Sequence, residues 1–235
     1  MTKPSTPGAA GLATTTLALP RRDFVRYAGA GLALTGLLIS GCDDDSENNN
    51  DTVDVGSGDP GVLNYAYALE QLEAAFYTQV VAGAFFTGTA TAAEKAILQD
   101  IRDHEVAHRD LFRQALGNGR IKDLQPDFST INFADRASVL GAARTFEDLG
   151  VHAYNGAGRF ISDANNLTLA GKIVSVEARH AALIRELILG ANKFVDSDVV
   201  DLSTGLERSK PPTEVVVEAN KFLQNGSKIS ANSLR

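Results

Sequence analysis

The amino-acid sequence of 235 residues predicts an all-α fold, an antiparallel four-helix bundle with a small fifth helix near the C-terminus. Three observations predict it. Four long segments carry apolar residues at helical spacing, no segment alternates apolar and polar residues as a strand does, and capping residues and glycines separate the segments. At a rise of about 1.5 Å per residue, the four helices are each roughly 33–40 Å long, matched in length as a bundle requires.

The first two helices have clear start and stop signals. Helix one is predicted for residues 60–82, because Asp59 before Pro60 is a helix-start signal and Gly83 ends the apolar pattern. Helix two is predicted for residues 92–116, with Thr91 and Glu94 as a capping box and Gly117 as the stop. The short connection between them favours a hairpin.

The second pair of helices follows a long crossover, residues 117–134, that contains Gly, Pro and Asn but no sustained period. Helix three is predicted for residues 135–161, and helix four follows a polar turn at 162–166 and ends at Gly190. The tail is irregular except for residues 213–223, which follow a Pro-Pro pair and predict the small fifth helix.

Composition and charge exclude several classes of function. The chain carries 22 basic and 29 acidic residues, and the first 41 residues hold four of the basic and one of the acidic ones, so the remainder has a net charge of −10. Such an acidic surface repels phosphates and no basic cluster offsets it, so no nucleic-acid partner is expected. The single cysteine, Cys42, excludes a disulfide framework, a zinc-finger cluster and an iron–sulfur site.

Residues 1–41 have the three-part layout of a cleaved export signal. The pair Arg21 and Arg22 precedes a bulky apolar residue, Phe24, and then a Gly/Ala/Leu-rich stretch over residues 27–40. This stretch of 14 residues is shorter than the ~20 that span a bilayer as a helix, so a permanent membrane span is not predicted. The arginine pair resembles a twin-arginine signal, which directs export of a folded protein.

The end of the signal resembles a bacterial lipobox. Ile-Ser-Gly-Cys at residues 39–42 predicts cleavage before Cys42, acylation of its thiol and attachment to a membrane. The polar residues that follow predict a flexible acidic tether over 42–58. Asp43 resembles the signal that keeps a lipoprotein on the periplasmic face of the inner membrane. The alternative is an arginine pair before a buried helix, with Cys42 as a small core residue.

Each of the four long helices places a glutamate on its apolar seam. Helices one and three carry one each, and helices two and four carry Glu-x-x-His, which puts both side chains on one helical face. The seam residues are Glu70, Glu105 with His108, Glu147, and Glu177 with His180. A buried carboxylate without a counter-charge is costly, and no Lys or Arg lies at these seam positions, so the pattern predicts metal cations as the partners.

An internal repeat supports this interpretation. The segment around Glu70 and Tyr77 aligns with that around Glu147 and Tyr154 at an offset of 77, and the two Glu-x-x-His helices align at an offset of 72. In this alignment Glu73 falls on a glycine, Gly150, which has no side chain to bind metal. The repeat therefore favours Glu70 over Glu73 as the ligand from helix one.

The six seam residues resemble the di-metal carboxylate pattern of the ferritin-like family, in which two helices supply one Glu each and two supply Glu-x-x-His. The resemblance covers residues 60–190 with their long crossover, and leaves 191–235 as a C-terminal extension. The run Leu63 to Glu70 and the secreted layout are similar to the ferritin-like group that includes desiccation-related proteins. The resemblance implies two iron or manganese ions that react with oxygen or peroxide or oxidise ferrous iron, with Glu105 and Glu177 as bridging ligands.

Several residues near the seam keep two interpretations. Glu73 is an additional carboxylate near the metal or a residue at the rim. Tyr77 and Tyr154 hydrogen-bond a ligand, take part in electron transfer, or fill the core. His104 and His152 lie about 100° and 140° off the seam at about 100° per residue, which favours the surface or a contact behind a ligand over metal binding.

Two functions follow from these residues. One is an exported, lipid-anchored oxidoreductase whose pair of ions cycles between two oxidation states and reduces oxygen or peroxide. The other is a non-catalytic envelope stress or interaction protein whose metal only stabilises the bundle.

The lipid anchor has a direct test in Cys42→Ala. Without a thiol to acylate, the variant is expected in the soluble fraction, whereas the unaltered protein fractionates with membranes. Fractionation of cells of the native host, followed by immunodetection, makes the comparison. A Cys42→Ala protein that stays with the membrane would show that a different anchor holds it.

Overall fold

The computed structural model describes residues 52–191 and 193–234. Over these ranges four long helices form the predicted antiparallel bundle. They are α1 (Gly58–Ala82), α2 (Ala92–Leu116), α3 (Arg136–Ala157) and α4 (Ala164–Leu189). Helix α1 packs on α2 and α3 packs on α4, as two hairpins, so the fold class predicted from the sequence is confirmed. The expectations for Arg21, Arg22 and Cys42 lie outside the described residues.

Most helix ends follow the predicted signals. Thr91 and Glu94 form the capping box of α2, because the Glu94 amide donates to Thr91 Oγ1 at 3.2 Å and the Thr91 amide donates to Glu94 Oε2 at 2.8 Å. Asp135 caps α3 by accepting from the Ser138 amide at 2.7 Å. Helix α3 ends earlier than predicted, at Ala157, because its last turn tightens into a 3₁₀ turn, Gly158–Phe160.

Asp59 does not cap helix α1, which corrects the sequence-based expectation. The helix begins one residue before it, at Gly58, and the Asp59 carboxylate instead accepts hydrogen bonds from the Ser162 and Asp163 amides at 2.8 and 3.0 Å. The side-chain amide of Asn166 donates to the same carboxylate at 2.9 Å. Asp59 therefore ties the start of α1 to the turn between α3 and α4.

Short strands and a fifth helix complete the described chain. Strand β1 (Thr52–Asp54) pairs in parallel with β4 (Lys228–Ser230), and β2 (Val200–Asp201) pairs antiparallel with β3 (Leu206–Glu207). The sequence predicted no strand, since two or three residues are too few to display an alternating pattern. Helix α5 spans Pro212–Ala219 and continues as a 3₁₀ turn, in place of one helix over residues 213–223.

Buried amides of α1 hold the long crossover against the bundle. Asn64 donates to the carbonyl of Gly119 at 3.1 Å and accepts from the Ile121 amide at 2.9 Å. Gln71, two turns further along the same face of the helix, accepts from the Leu124 amide at 2.8 Å. These side chains satisfy crossover backbone groups that the bundle would otherwise leave without partners.

The C-terminal extension is fastened to the second hairpin by a buried arginine. Arg185 on α4 is 2% exposed and donates to both carboxylate oxygens of Asp148 and to both of Asp198. Beside it, the Lys210 amide donates to the carbonyl of His152 at 3.1 Å. Gly156 permits this close approach, since a Cβ there would lie 1.8 Å from the Lys210 carbonyl oxygen.

Replacing Gly156 by alanine is expected to push the Lys210 segment off α3 and to break its hydrogen bond to His152. Overpacking of this kind costs about 1–3 kcal/mol of unfolding free energy. The matched control is Gly141→Ala on the same helix, where the added methyl meets no atom within 4 Å and is expected to stabilise by about 0.5–1 kcal/mol. Urea unfolding measures both, and a Gly156→Ala protein as stable as the Gly141→Ala protein would contradict the close approach.

Candidate metal centre

The two hairpins bring the six predicted seam residues together in the middle of the bundle. Helix α1 supplies Glu70, α2 Glu105 and His108, α3 Glu147, and α4 Glu177 and His180. The four glutamates are 0% exposed. Because each lies among apolar seam residues of its own helix, packing those seams against one another carries the carboxylates inward with them.

The six residues form two overlapping groups. Glu70 and His108 belong to one group, Glu147 and His180 to the other, and Glu105 and Glu177 belong to both. In each group the ligand atoms lie within 4.8 Å of one another. The structure therefore provides two adjacent groups of candidate ligands that share two carboxylates.

Eight buried polar atoms at this level make no hydrogen bond of good geometry within the described residues, although several of them lie close to one another. They are Glu70 Oε2, both oxygens of Glu105, His108 Nδ1, Glu147 Oε2, both oxygens of Glu177 and His180 Nδ1. An unsatisfied buried donor or acceptor costs about 1–3 kcal/mol. Such a concentration of carboxylate oxygens and imidazole nitrogens is compatible with a metal site.

Glu105 lies between the two histidines. Its Oε1 atom is 2.8 Å from His180 Nδ1, and its Oε2 atom is 3.6 Å from His108 Nδ1. Glu177 Oε1 is 3.1 Å from His108 Nδ1. Glu105 thus presents one oxygen to each site, which is the arrangement that a bridging carboxylate needs.

Two tyrosines orient the glutamates that belong to one group only. Tyr77 donates to Glu147 Oε1 and Tyr154 donates to Glu70 Oε1, each at 2.5 Å. Each tyrosine belongs to one hairpin and its glutamate to the other, so the pair of contacts repeats the internal symmetry of the sequence. In both glutamates this leaves the second oxygen, Oε2, directed to the centre.

Glu73 lies beside the centre and is 3% exposed, so it is not a residue at a solvent-exposed rim. A Cβ at Gly150 would lie 3.1 Å from Glu73 Oε1 and 3.3 Å from Glu177 Oε2. Because Gly150 has no side chain, the Glu73 carboxylate has room beside it. Glu73 and Gly150, which the internal repeat aligns with each other, are therefore neighbours in the structure.

His104 contacts a candidate ligand directly. Its Nδ1 atom is 2.9 Å from His180 Nε2, and the two rings stack with centroids 5.2 Å apart. His104 itself is exposed, so the pair connects the buried centre with solvent. The off-seam angle of His104 signalled a position behind the ligands, but its partner, 76 residues away, was not predictable. His152 is buried at the C-terminal extension, away from the surface.

Burial dominates the ionisation of the carboxyl groups. It raises the pKa of Glu70 to about 7, and together with the charge of Glu105 it raises the pKa of Glu177 well above its usual range. Burial and the charge of Glu177 do the same to the pKa of Glu73. Burial also favours a raised pKa of Glu105, but contacts with the imidazoles of His108 and His180 outweigh it and lower the pKa to about 2.

The histidines carry the opposing charge when no metal is bound. Burial lowers the pKa of His180, but Glu147 and Glu105 outweigh it and raise the pKa to about 11. Glu105, Glu177 and Glu70 likewise raise the pKa of His108 against the effect of burial. Without metal the centre therefore holds imidazolium and carboxylic acid groups. Ligands bind metal deprotonated, so metal binding displaces these protons.

Comparison with known proteins adds one match. The family model described as the ferritin-like domain matches residues 58–190, more than half of the chain. No curated protein matches the chain. The matched range contains all six residues of the two overlapping groups.

The pH dependence of the metal-free protein follows from these shifts. A group whose pKa is higher in the folded state stabilises the fold below its unfolded pKa and loses that contribution as pH rises through its folded value. Glu70, Glu73, Glu177, His108 and His180 all have raised pKa values, so the free energy of unfolding is expected to fall from pH 5 to pH 9. Each proton that only the folded state holds contributes about 1.4 kcal/mol per pH unit.

Urea unfolding of chelator-treated protein at several pH values measures this slope. Glu73→Gln, which mimics the protonated acid, is expected to lessen the fall, and saturating Mn²⁺ is expected to lessen it further. A metal-free protein whose stability increases between pH 5 and pH 9 would contradict the predicted protonation of the centre.

Proposed function

This chain belongs to the family of ferritin-like domains, and on that premise we propose that it is an exported, lipid-anchored oxidoreductase that holds two iron or manganese ions and reduces dioxygen or peroxide. One observation carries the proposal: eight polar atoms, buried at one level of the bundle, form two donor sets that share Glu105 and Glu177.

The charge of the donor set favours two ions. Glu70, Glu105, Glu147 and Glu177 carry four negative charges when ionised, and two divalent cations neutralise them while both histidines remain neutral. With a single divalent cation, protons would have to neutralise the remaining two charges, and the protonated groups could not serve as metal ligands. Carboxylate and imidazole ligands without thiolates suit iron and manganese.

A pair of redox-active ions there would supply two electrons, one from each ion, to reduce dioxygen to hydrogen peroxide or peroxide to two waters, with uptake of two protons in either case. An external reductant would return the two electrons before the next turnover. The side chains provide what this reaction requires. Tyr77 and Tyr154 hold Glu147 and Glu70 in orientation. The 0% exposure of the four glutamates keeps bulk water from the reacting oxidant.

His104 offers a route for the protons. If His180 binds an ion through Nδ1, its Nε2 atom carries the hydrogen and donates to His104 Nδ1. The exposed ring of His104 exchanges protons with solvent, which connects the bulk with the ligand behind it. A structural ion alone would not need such a connection.

The proposed location rests on the sequence before the described residues. Arg21 and Arg22 direct export of the folded protein, and acylated Cys42 anchors it at the periplasmic face of the inner membrane through the tether. Export after folding suits a site of oxygen and nitrogen ligands. Their affinity for divalent metals rises towards copper, so loading before export protects the choice of iron or manganese.

The proposal is tested by metal analysis and oxidant turnover of protein exported by its native host. Glu70→Ala removes a ligand of one group, so it is expected to lower the content from about two ions per chain to about one and to abolish turnover of peroxide and dioxygen. Glu73→Ala is the matched control, one turn away on the same helix and equally buried, and is expected to retain most of both.

Two outcomes would contradict the proposal. Stoichiometric zinc in the unaltered protein, or no metal at all, would exclude a redox-active pair. Loss of metal from Glu73→Ala with full metal and turnover in Glu70→Ala would reverse the ligand assignment and the repeat alignment behind it.

A further inference from the structure

A small apolar cavity lies one helical turn from the candidate metal centre. All four long helices contribute to its lining. Its volume is about 20 Å³, measured as the space open to the centre of a water-sized sphere. Only apolar atoms face this space. Its inner lining includes Ala66, Phe112 and Tyr154, and its half-buried lining includes Leu63, Ile161 and Ala170, which mark the side towards solvent.

The cavity adjoins one half of the centre. Ala66 lies one turn before Glu70 on α1, and Phe112 lies one turn beyond His108 on α2. Tyr154 lines the cavity and donates its hydroxyl hydrogen to Glu70 Oε1. The group of Glu70 and His108 is therefore the part of the centre that a molecule in this cavity would reach.

The lining selects the kind of molecule that the cavity holds. A cavity needs roughly 10–15 Å³ by the same measure to accept one water-sized molecule, so this one has room for a single small occupant. A buried water needs two to four polar partners, and hydrogen peroxide has two hydroxyl groups to satisfy, but no polar atom faces this space. Dioxygen is of the right size and needs no hydrogen bond.

We propose that this cavity is a binding site for dioxygen, through which the gas reaches the Glu70 and His108 half of the centre. The proposal rests on the redox function proposed above and names its oxidant. It also separates the two oxidants: dioxygen enters the apolar cavity, whereas hydrogen peroxide, which needs hydrogen-bond partners, does not.

Xenon, an apolar gas atom, tests the site without any metal. Crystals of the metal-free protein under xenon pressure are expected to hold one xenon atom in the cavity. Ala170→Leu, which adds side-chain volume at the half-buried end, is expected to remove it, and Ala66→Val reduces the space from the buried side. Ala164→Leu is the matched control, the same substitution on the same helix at an exposed position outside the cavity.

The second measurement follows oxidation of metal-loaded, chemically reduced protein by stopped-flow absorbance. Ala170→Leu and Ala66→Val are expected to slow oxidation by dioxygen about tenfold, which is roughly 1.4 kcal/mol in the barrier, and to leave oxidation by peroxide within about twofold. Ala164→Leu is expected to react with both oxidants as the unaltered protein does.

The outcomes distinguish this inference from the function on which it rests. No xenon in the unaltered protein, or unchanged dioxygen rates in both filling variants, overturns the cavity as the dioxygen site and leaves the redox function standing. Equal slowing with dioxygen and peroxide overturns it too, since the variants then disturb the centre itself. If the unaltered, metal-loaded protein reacts with neither oxidant, the proposed redox function is wrong, whether or not xenon binds in the cavity.

Discussion

The burial of several carboxylates at one level is the constraint on which the rest of this structure depends. Glu70, Glu105, Glu147 and Glu177 lie where a bundle normally packs apolar residues, and each is 0% exposed. Ionised carboxylates in such surroundings demand positive charge close by. Protons on His108 and His180 supply part of it in the metal-free chain, and the metal ions proposed for this centre would supply the rest. The same side chains thus couple protonation, metal binding and stability.

The two hairpins arrange their buried carboxylates with near symmetry, and one pair of equivalent positions differs. Each hairpin contributes a single glutamate, a Glu-x-x-His pair and a tyrosine that reaches the other hairpin's glutamate, so neither hairpin completes a site alone. The pair that differs is Glu73 and Gly150, since the repeat puts a carboxylate on one side and no side chain on the other. A side chain at both positions would overfill the space beside Glu177.

The surroundings of the centre differ between its two halves. Behind His180 lies His104, a polar and exposed ring that suits the passage of protons. Beside Glu70 and His108 lies the apolar cavity, which suits a small gas. The proposed reaction needs both protons and an oxidant, and these surroundings suit it, because a polar histidine exchanges protons and an apolar cavity holds a nonpolar gas.

The sequence by itself determined the helices, their order and the six residues of the candidate centre. Helical periodicity, caps and the Glu-x-x-His spacing are local properties, so α2 begins at Ala92 and ends at Leu116 as the pattern predicts. Only the tertiary structure decided which side chains meet across helices. Tyr77 and Glu147 are 70 residues apart and Tyr154 and Glu70 are 84 apart, and no local pattern sets the rotation and height that bring them together. The pairing of β1 with β4, the new role of Asp59 and the cavity have the same cause: each arises from how finished elements pack, and packing depends on the whole chain.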